Sequence, residues 1–353
     1  MTEQCERLTD QVLGCLLGGL CGDAVGRPAE NLDYRTIEER YGRITGPMEQ
    51  PGTAAGAGTD DSALKHLLCD AIIHAPGEVT PYDWAQVWRE RMQPDRFWTP
   101  VANAYFRIMV QDVDPAEAGV GNMISNSSAM CISPVGIVNA GNPQAACREA
   151  LSVARIIHRG SPLEGAAAAA AATAEAFRNG ATPSSIVEAA CDHLPPGSDV
   201  ATAIQATVAA AQECGDYETF RARYYEEMLW PWPHRHTGRS TAVDPRESLS
   251  VALAILYLAG GDPVQAILNC ANFGRDADTI ATMGGAIAGA LRGARSLPSA
   301  WVDAVREANP VDQDALAQSL LEVLAKRVRA ASDWAESWKG ALSEVHDCPD
   351  ADI

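Results

Sequence analysis

Segments of helical periodicity, closed off one after another by proline and glycine, leave this chain little choice of fold class. Apolar residues recur every three to four positions over 6–21, 62–75, 81–92, 100–110, 115–122, 143–158, 162–179, 184–192, 198–213, 217–228, 245–259, 262–271, 279–291, 298–307 and 312–338, and long alternating β-branched runs are missing. Breakers such as Pro76-Gly77, Pro195-Pro196-Gly197 and Gly260-Gly261-Asp262-Pro263 separate them. Several segments are short and rich in Ala and Gly, which lets backbones approach closely and many helices share one body. The expected architecture is a single all-α domain over 1–338, an orthogonal multi-helix bundle, followed by an acidic tail over 339–353. The alanine run Ala166 to Ala172 reads as a buried helix. Two stretches, 23–61 and 229–245, read as irregular and are long enough to be functional loops.

Two acidic clusters lie more than two hundred residues apart, Thr59-Asp60-Asp61-Ser62 and Asp276-Ala277-Asp278-Thr279. Each joins carboxylates to a hydroxyl, the hard oxygen donors that Mg²⁺, Mn²⁺ or Ca²⁺ prefer, without the Cys or His that zinc would recruit. Each follows a glycine (Gly58, Gly274) and precedes an apolar helical run, so each reads as a helix start. On a continuous helix Asp276 and Asp278 would point about 200° apart. They converge only where the chain is extended or just entering the helix. Capping uses one such residue, and the excess charge of the Asp pairs calls for a counter-cation.

Lys plus Arg is 27 against 46 Asp plus Glu, a net charge of −19, which opposes nucleic-acid and anionic membrane partners. The 10 cysteines fall singly with no C-x-x-C, as in a reducing cytosol. No basic segment precedes an apolar stretch at the N-terminus, and no apolar run approaches the ~20 residues that span a bilayer. A cytoplasmic protein acting on a small molecule is expected.

A third segment, Gly14 to Glu30, reads GCLLGGLCGDAVGRPAE. It resembles the opening of the ADP-ribosylglycohydrolase family, in which a small-residue helix leads through Gly-Asp-Ala-x-Gly into a loop carrying a functional glutamate. The Thr-Asp-Asp and Asp-x-Asp-Thr clusters are that family's other signatures, and all three occur in family order between about residues 10 and 295. The resemblance implies two Mg²⁺ or Mn²⁺ ions and hydrolysis of a glycosidic bond at the anomeric carbon of a ribose. Matched by position, Thr59, Asp60 and Asp61 would be metal ligands from one side, and Asp276, Asp278 and Thr279 from the other. Glu30 matches the glutamate beside the metals and is the expected general base, with Asp95 as the second choice. Asp23 is expected to hold the loop through backbone hydrogen bonds, and Arg275 to balance the metal aspartates.

The chain also departs from the family. Where members that bind ADP-ribose carry a glycine-rich loop ending in Ala-Met-Arg, this chain has Gly121 to Cys131, with serines for glycines and Cys131 for the arginine. Ser127, Ser128, Ala129 and Met130 are expected on the substrate side, and a nucleoside or nucleotide becomes a rival to an ADP-ribosyl group. Trp232, His234 and His236 are expected to form a wall against a base or phosphate. His66, His74, His158 and His193 read as structural or surface residues. The expected function is a metal-dependent ribosyl glycohydrolase. The alternatives are a nucleoside or nucleotide N-ribohydrolase on the same scaffold, or a non-catalytic, crystallin-like relative.

Overall fold

Glycines at i, i+4 spacing along the first helix set the geometry of the whole molecule. A computed structural model describes residues 3–229 and 242–346. Among the described residues the chain forms helices and no strands, in the order α1 (Glu3–Gly26), α2 (Tyr34–Tyr41), α3 (Asp60–His74), α4 (Pro81–Arg91), α5 (Thr99–Gln111), α6 (Ser127–Met130), α7 (Ser133–Val138), α8 (Pro143–Val153) and α9 (Ser161–Ala176). Then follow α10 (Pro183–Asp192), α11 (Asp199–Cys214), α12 (Tyr217–Arg223), α13 (Pro245–Leu258), α14 (Pro263–Phe273), α15 (Ala277–Arg292), α16 (Ser299–Ala308) and α17 (Gln313–His346).

Helices α1 and α15 lie side by side in backbone contact. A methyl group on Gly18 would fall 2.2 Å from the Gly285 carbonyl oxygen, on Gly22 2.0 Å from that of Ala281, and on Gly289 2.0 Å from that of Gly14. No side chain larger than hydrogen fits these positions, so the spacing of Gly14, Gly18, Gly22 and Gly26 reads directly as a helix–helix seam. Leu16 of α1 belongs to the larger hydrophobic cluster and Leu17 to a smaller one that includes Ile37, Ile44 and Trp301. The α1–α15 pair is thus the spine between two cores. The alanine run of α9 is buried throughout, packed by α7, α8 and α10 on its several sides.

Three local expectations change. The stretch 23–61 is not wholly irregular: α1 runs to Gly26, and α2 starts at an Asp33 N-cap that accepts the amides of Arg35 and Thr36. That helix buries only Ile37, so it shows no apolar stripe. The helix expected over 115–122 is a series of turns. Gly119 packs its Cα against the Ile157–His158 backbone and Gly121 has φ +76°, conditions that stop a helix there. The last helix continues past 338 to His346. No described helix is long and apolar enough to cross a membrane.

Candidate active site

The two acidic clusters arrive at one place from helix starts. Thr59 is the N-cap of α3, its Oγ1 accepting the Asp61 amide at 3.2 Å, so capping is done by the threonine and both aspartates remain available. Asp276 is the N-cap of α15, with φ −90° and ψ 63°, and Asp278 lies in the first turn. The chain enters the helix between them, which is what lets both face one space. Thr279 Oγ1 donates to Asp61 Oδ2 at 3.4 Å and joins the clusters across the fold.

A strained crossing delivers Glu30. Gly274 and Arg275 both have positive φ, +81° and +65°, as does Asn31 at +61°. The Asn31 amide donates to the Arg275 carbonyl and the Arg275 amide to the Leu32 carbonyl, both at 2.6 Å. Non-glycine residues held in left-handed backbone cost of order 1 kcal/mol or more each and persist where surroundings enforce them. Here they bind the loop after Glu30 to the entrance of α15. As a result Glu30, Asp276 and Asp278 each place a carboxylate oxygen within 4.8 Å of the others. The Arg275 guanidinium forms a bidentate pair with buried Glu247 (2.7 and 3.0 Å).

Behind the cluster, Asp23 is fully buried and accepts the Thr59 amide at 3.0 Å, the Ser62 amide at 3.1 Å and the Ser62 hydroxyl at 2.5 Å. It performs the loop-holding role expected of it. Lys65, one turn beyond Asp61 on α3, is also buried, and its Nζ has no hydrogen-bond partner among the described residues.

The cavity measures about 140 Å³ and is lined by Glu30, Asn31, Asp60, Asp61, Trp98, Asn126, Ser127, Met130, Val243, Asp276, Asp278 and Thr279. Ser127 and Met130 reach it, whereas Ser128 and Ala129 lie behind the wall; Ser128 Oγ is 2.5 Å from Nδ1 of buried His158, whose Nε2 is 2.9 Å from Ser125 Oγ. Cys131 is fully buried. Asp95 is exposed and absent from the lining. Trp232, His234 and His236 lie outside the described residues. Two wall residues carried no sequence signal of their own. Asn126 donates to Asp276 Oδ2 at 2.5 Å and to Ser248 Oγ at 3.0 Å, fixing a carboxylate orientation. Trp98, 40% exposed, stands at the mouth, and its amide donates to Asp60 Oδ2 at 3.3 Å.

Electrostatics favour a cation. Burial first, then neighbouring carboxylates, raise Asp60 above the usual carboxylate range and hold Asp61 and Asp278 well above it. Asp276 is pushed up to about 7 by burial and by Glu30 and Glu247, against the Asn126 hydrogen bond. Glu30 is raised by partial desolvation at the mouth and by Asp60 and Asp23. Asp61 Oδ1 and Asp278 Oδ1 are buried without any hydrogen-bond partner among the described residues. An orphaned buried carboxylate oxygen is expensive, and two of them beside further carboxylates and two threonine hydroxyls make a donor set suited to a hard divalent ion.

Comparison with known proteins follows the same lines. A family model described as ADP-ribosylglycohydrolase matches residues 4–335. The chain is 27% identical over 343 residues to "Uncharacterized protein YegU" of Escherichia coli (strain K12), covering 90% of this chain and 98% of that protein. It is 24% identical over 331 residues to an uncharacterized protein of Archaeoglobus fulgidus, covering 90% and 97%. A solved structure titled "ADP-ribosylglycohydrolase-related protein complex" superposes with a TM-score of 0.66 at 22% identity, covering 90% of this chain and 99% of the other.

Proposed function

The chain belongs to the ADP-ribosylglycohydrolase family, and from that membership we propose that it is a divalent-metal-dependent hydrolase of a ribosyl glycosidic bond. The observation that carries the reading is the convergence of Glu30, Asp276 and Asp278 within 4.8 Å beside the unpartnered oxygens of Asp61 and Asp278. Asp60, Asp61, Asp276 and Asp278, with Thr59 and Thr279, would hold two Mg²⁺ or Mn²⁺ ions. When bound, such ions polarise oxygen ligands and orient vicinal hydroxyls. Glu30 lines the cavity beside these aspartates, where its carboxylate could take the proton from an attacking water. The anionic wall favours the positive charge that develops at the anomeric carbon in an oxocarbenium-like transition state. Asn126 and Ser127 offer polar contacts to a sugar, and Trp98 a face on which a base could stack.

A cavity of about 140 Å³ is smaller than the 300 Å³ or more typical of drug-sized ligands, so it suits the ribose alone, with the aglycone at the mouth. Ser128 and Cys131, which depart from the family loop, are committed to the interior. This favours a nucleoside, nucleotide or other simple ribosyl compound over a pyrophosphate-bearing one, and ADP-ribosyl-arginine should be the poorer substrate. The test is a panel of ribosyl compounds assayed for free base or ADP-ribose with Mg²⁺, Mn²⁺ or chelator. Metal-dependent release from at least one compound is expected. The cations should also raise the melting temperature, more at pH 8 than at pH 5.5, because raised carboxylates must lose protons to bind them. No release from any compound, together with a melting temperature unmoved by millimolar cation, would refute the reading.

A further inference from the structure

The serines by which the loop 121–131 departs from its family meet on one buried ring. Ser128 Oγ is 2.5 Å from His158 Nδ1, His158 Nε2 is 2.9 Å from Ser125 Oγ, and Ser125 Oγ is 2.9 Å from Ser127 Oγ. All four residues are at most 2% exposed, yet Ser127 lines the acidic cavity. The hydrogen-bonded chain thus has one end in the interior, at Ser128, and the other at the cavity wall, at Ser127. Among the described residues no other hydrogen bond reaches the Ser127 or the Ser128 hydroxyl.

The direction in which the hydrogens run follows from their number. A neutral imidazole carries one N–H, and a serine hydroxyl has one hydrogen to give and lone pairs to receive. With the ring hydrogen on Nδ1, the ring donates to Ser128, Ser125 to the ring and Ser127 to Ser125. The Ser128 hydrogen is then stranded in the interior without an acceptor, and a doubly protonated ring strands it too. With the hydrogen on Nε2 every step reverses: Ser128 donates to Nδ1, Nε2 to Ser125, and Ser125 to Ser127. Only this direction leaves no buried donor unmade, and an unmade one carries its full desolvation cost. The free hydrogen is then that of Ser127, at the cavity. Its neighbours do not offer another, since the ionised carboxylates of the lining only accept, Asn126 donates to Asp276 and Ser248, and Thr279 donates to Asp61. We infer that Ser127 is a hydrogen-bond donor to the substrate, with Ser125 and His158 as the positioning residues that fix its polarity. This rests on the hydrolase reading and deepens it. The ligand selected is a ribosyl compound that turns a lone pair, rather than a hydroxyl hydrogen, to that point of the wall.

The test joins a tautomer measurement to kinetics. Nitrogen NMR of the full chain, with the His158 signals assigned by their loss in His158→Gln, should show the ring hydrogen on Nε2 and none on Nδ1. Kinetics use whichever of adenosine, uridine, adenosine monophosphate and ADP-ribosyl-arginine the wild type cleaves fastest. Ser127→Ala should lower kcat/KM about tenfold, the loss of one hydrogen bond, with Mn²⁺ affinity by calorimetry unchanged. Ser125→Ala, which frees the Ser127 hydroxyl to turn, should cause a smaller loss. Ser125→Ala/Ser127→Ala should be no slower than Ser127→Ala, because Ser125 acts only through Ser127. Cleavage by a wild type whose ring hydrogen is on Nδ1 overturns the inference alone. So does a Ser127→Ala enzyme that matches the wild type or loses Mn²⁺ affinity, or a double variant in which the two losses multiply. If the wild type cleaves none of the four compounds, the hydrolase reading fails and takes the inference with it.

Discussion

Single side chains in this site divide into those that face the cavity and those that hold the wall. Glu30 faces it, and Glu30→Gln keeps its size while removing the basic oxygen. Turnover should fall about 10²–10⁴-fold, while Mn²⁺ affinity measured by calorimetry changes little, because the four aspartates at the cavity remain. A parent-like rate would place the base elsewhere. His158 holds the wall: both ring nitrogens meet serine hydroxyls, and burial lowers its pKa to about 3. An unfolded chain binds a proton there below about pH 6.5 and the folded chain does not, so stability rises with pH across this window. Acidification from pH 6.5 toward 4 should therefore remove up to about 1.4 kcal/mol per pH unit from this group. Denaturant titrations of wild type and His158→Gln should converge as pH falls; a constant difference would show that the imidazole is not held neutral.

Elements transmit this geometry through the α1–α15 seam. Adding a methyl at Gly22 puts it 2.0 Å from the Ala281 carbonyl oxygen, and only a separation of the two backbones relieves the clash. Gly22→Ala should cost about 1–3 kcal/mol, as overpacking does, and should also lower metal affinity, because α15 carries Asp278 and Thr279 at its start. Gly77, with nothing within 4 Å of an added methyl, supplies the control: Gly77→Ala should change neither. Equal effects of the two in denaturation and calorimetry would remove the seam from the account. The same elements show what was legible beforehand. The acidic clusters could be read because each combines a local run of charge with a cap, whereas the glycine seam of α1 emerged only once α15 was seen against it. Helix α2 was not legible, having one buried residue, nor were α6 and α7, which are too short to show a period. Asn126, Trp98 and Lys65 gave no signal because their roles depend on what the fold brings opposite them.

Across the whole molecule, helical character was written along the chain, but the closing of the structure on itself was not. Gly14 meets Gly289, and Thr279 meets Asp61 at a sequence separation of 218. That closure has a consequence for how the protein comes into being. Helix α1 contains five glycines in 24 residues, each costing about 1 kcal/mol of helix propensity relative to alanine, so it has little reason to persist alone. On a ribosome adding about 5–20 residues per second, its partner emerges on the order of tens of seconds later. Through that interval the N-terminal motif is present in the nascent chain without the surface that shapes it. Asp60 and Asp61 likewise wait for Asp276 and Asp278. The candidate site is then among the later parts of the molecule to form, and a product cut short before residue 276 carries most of the helices but lacks Asp276, Asp278 and Thr279.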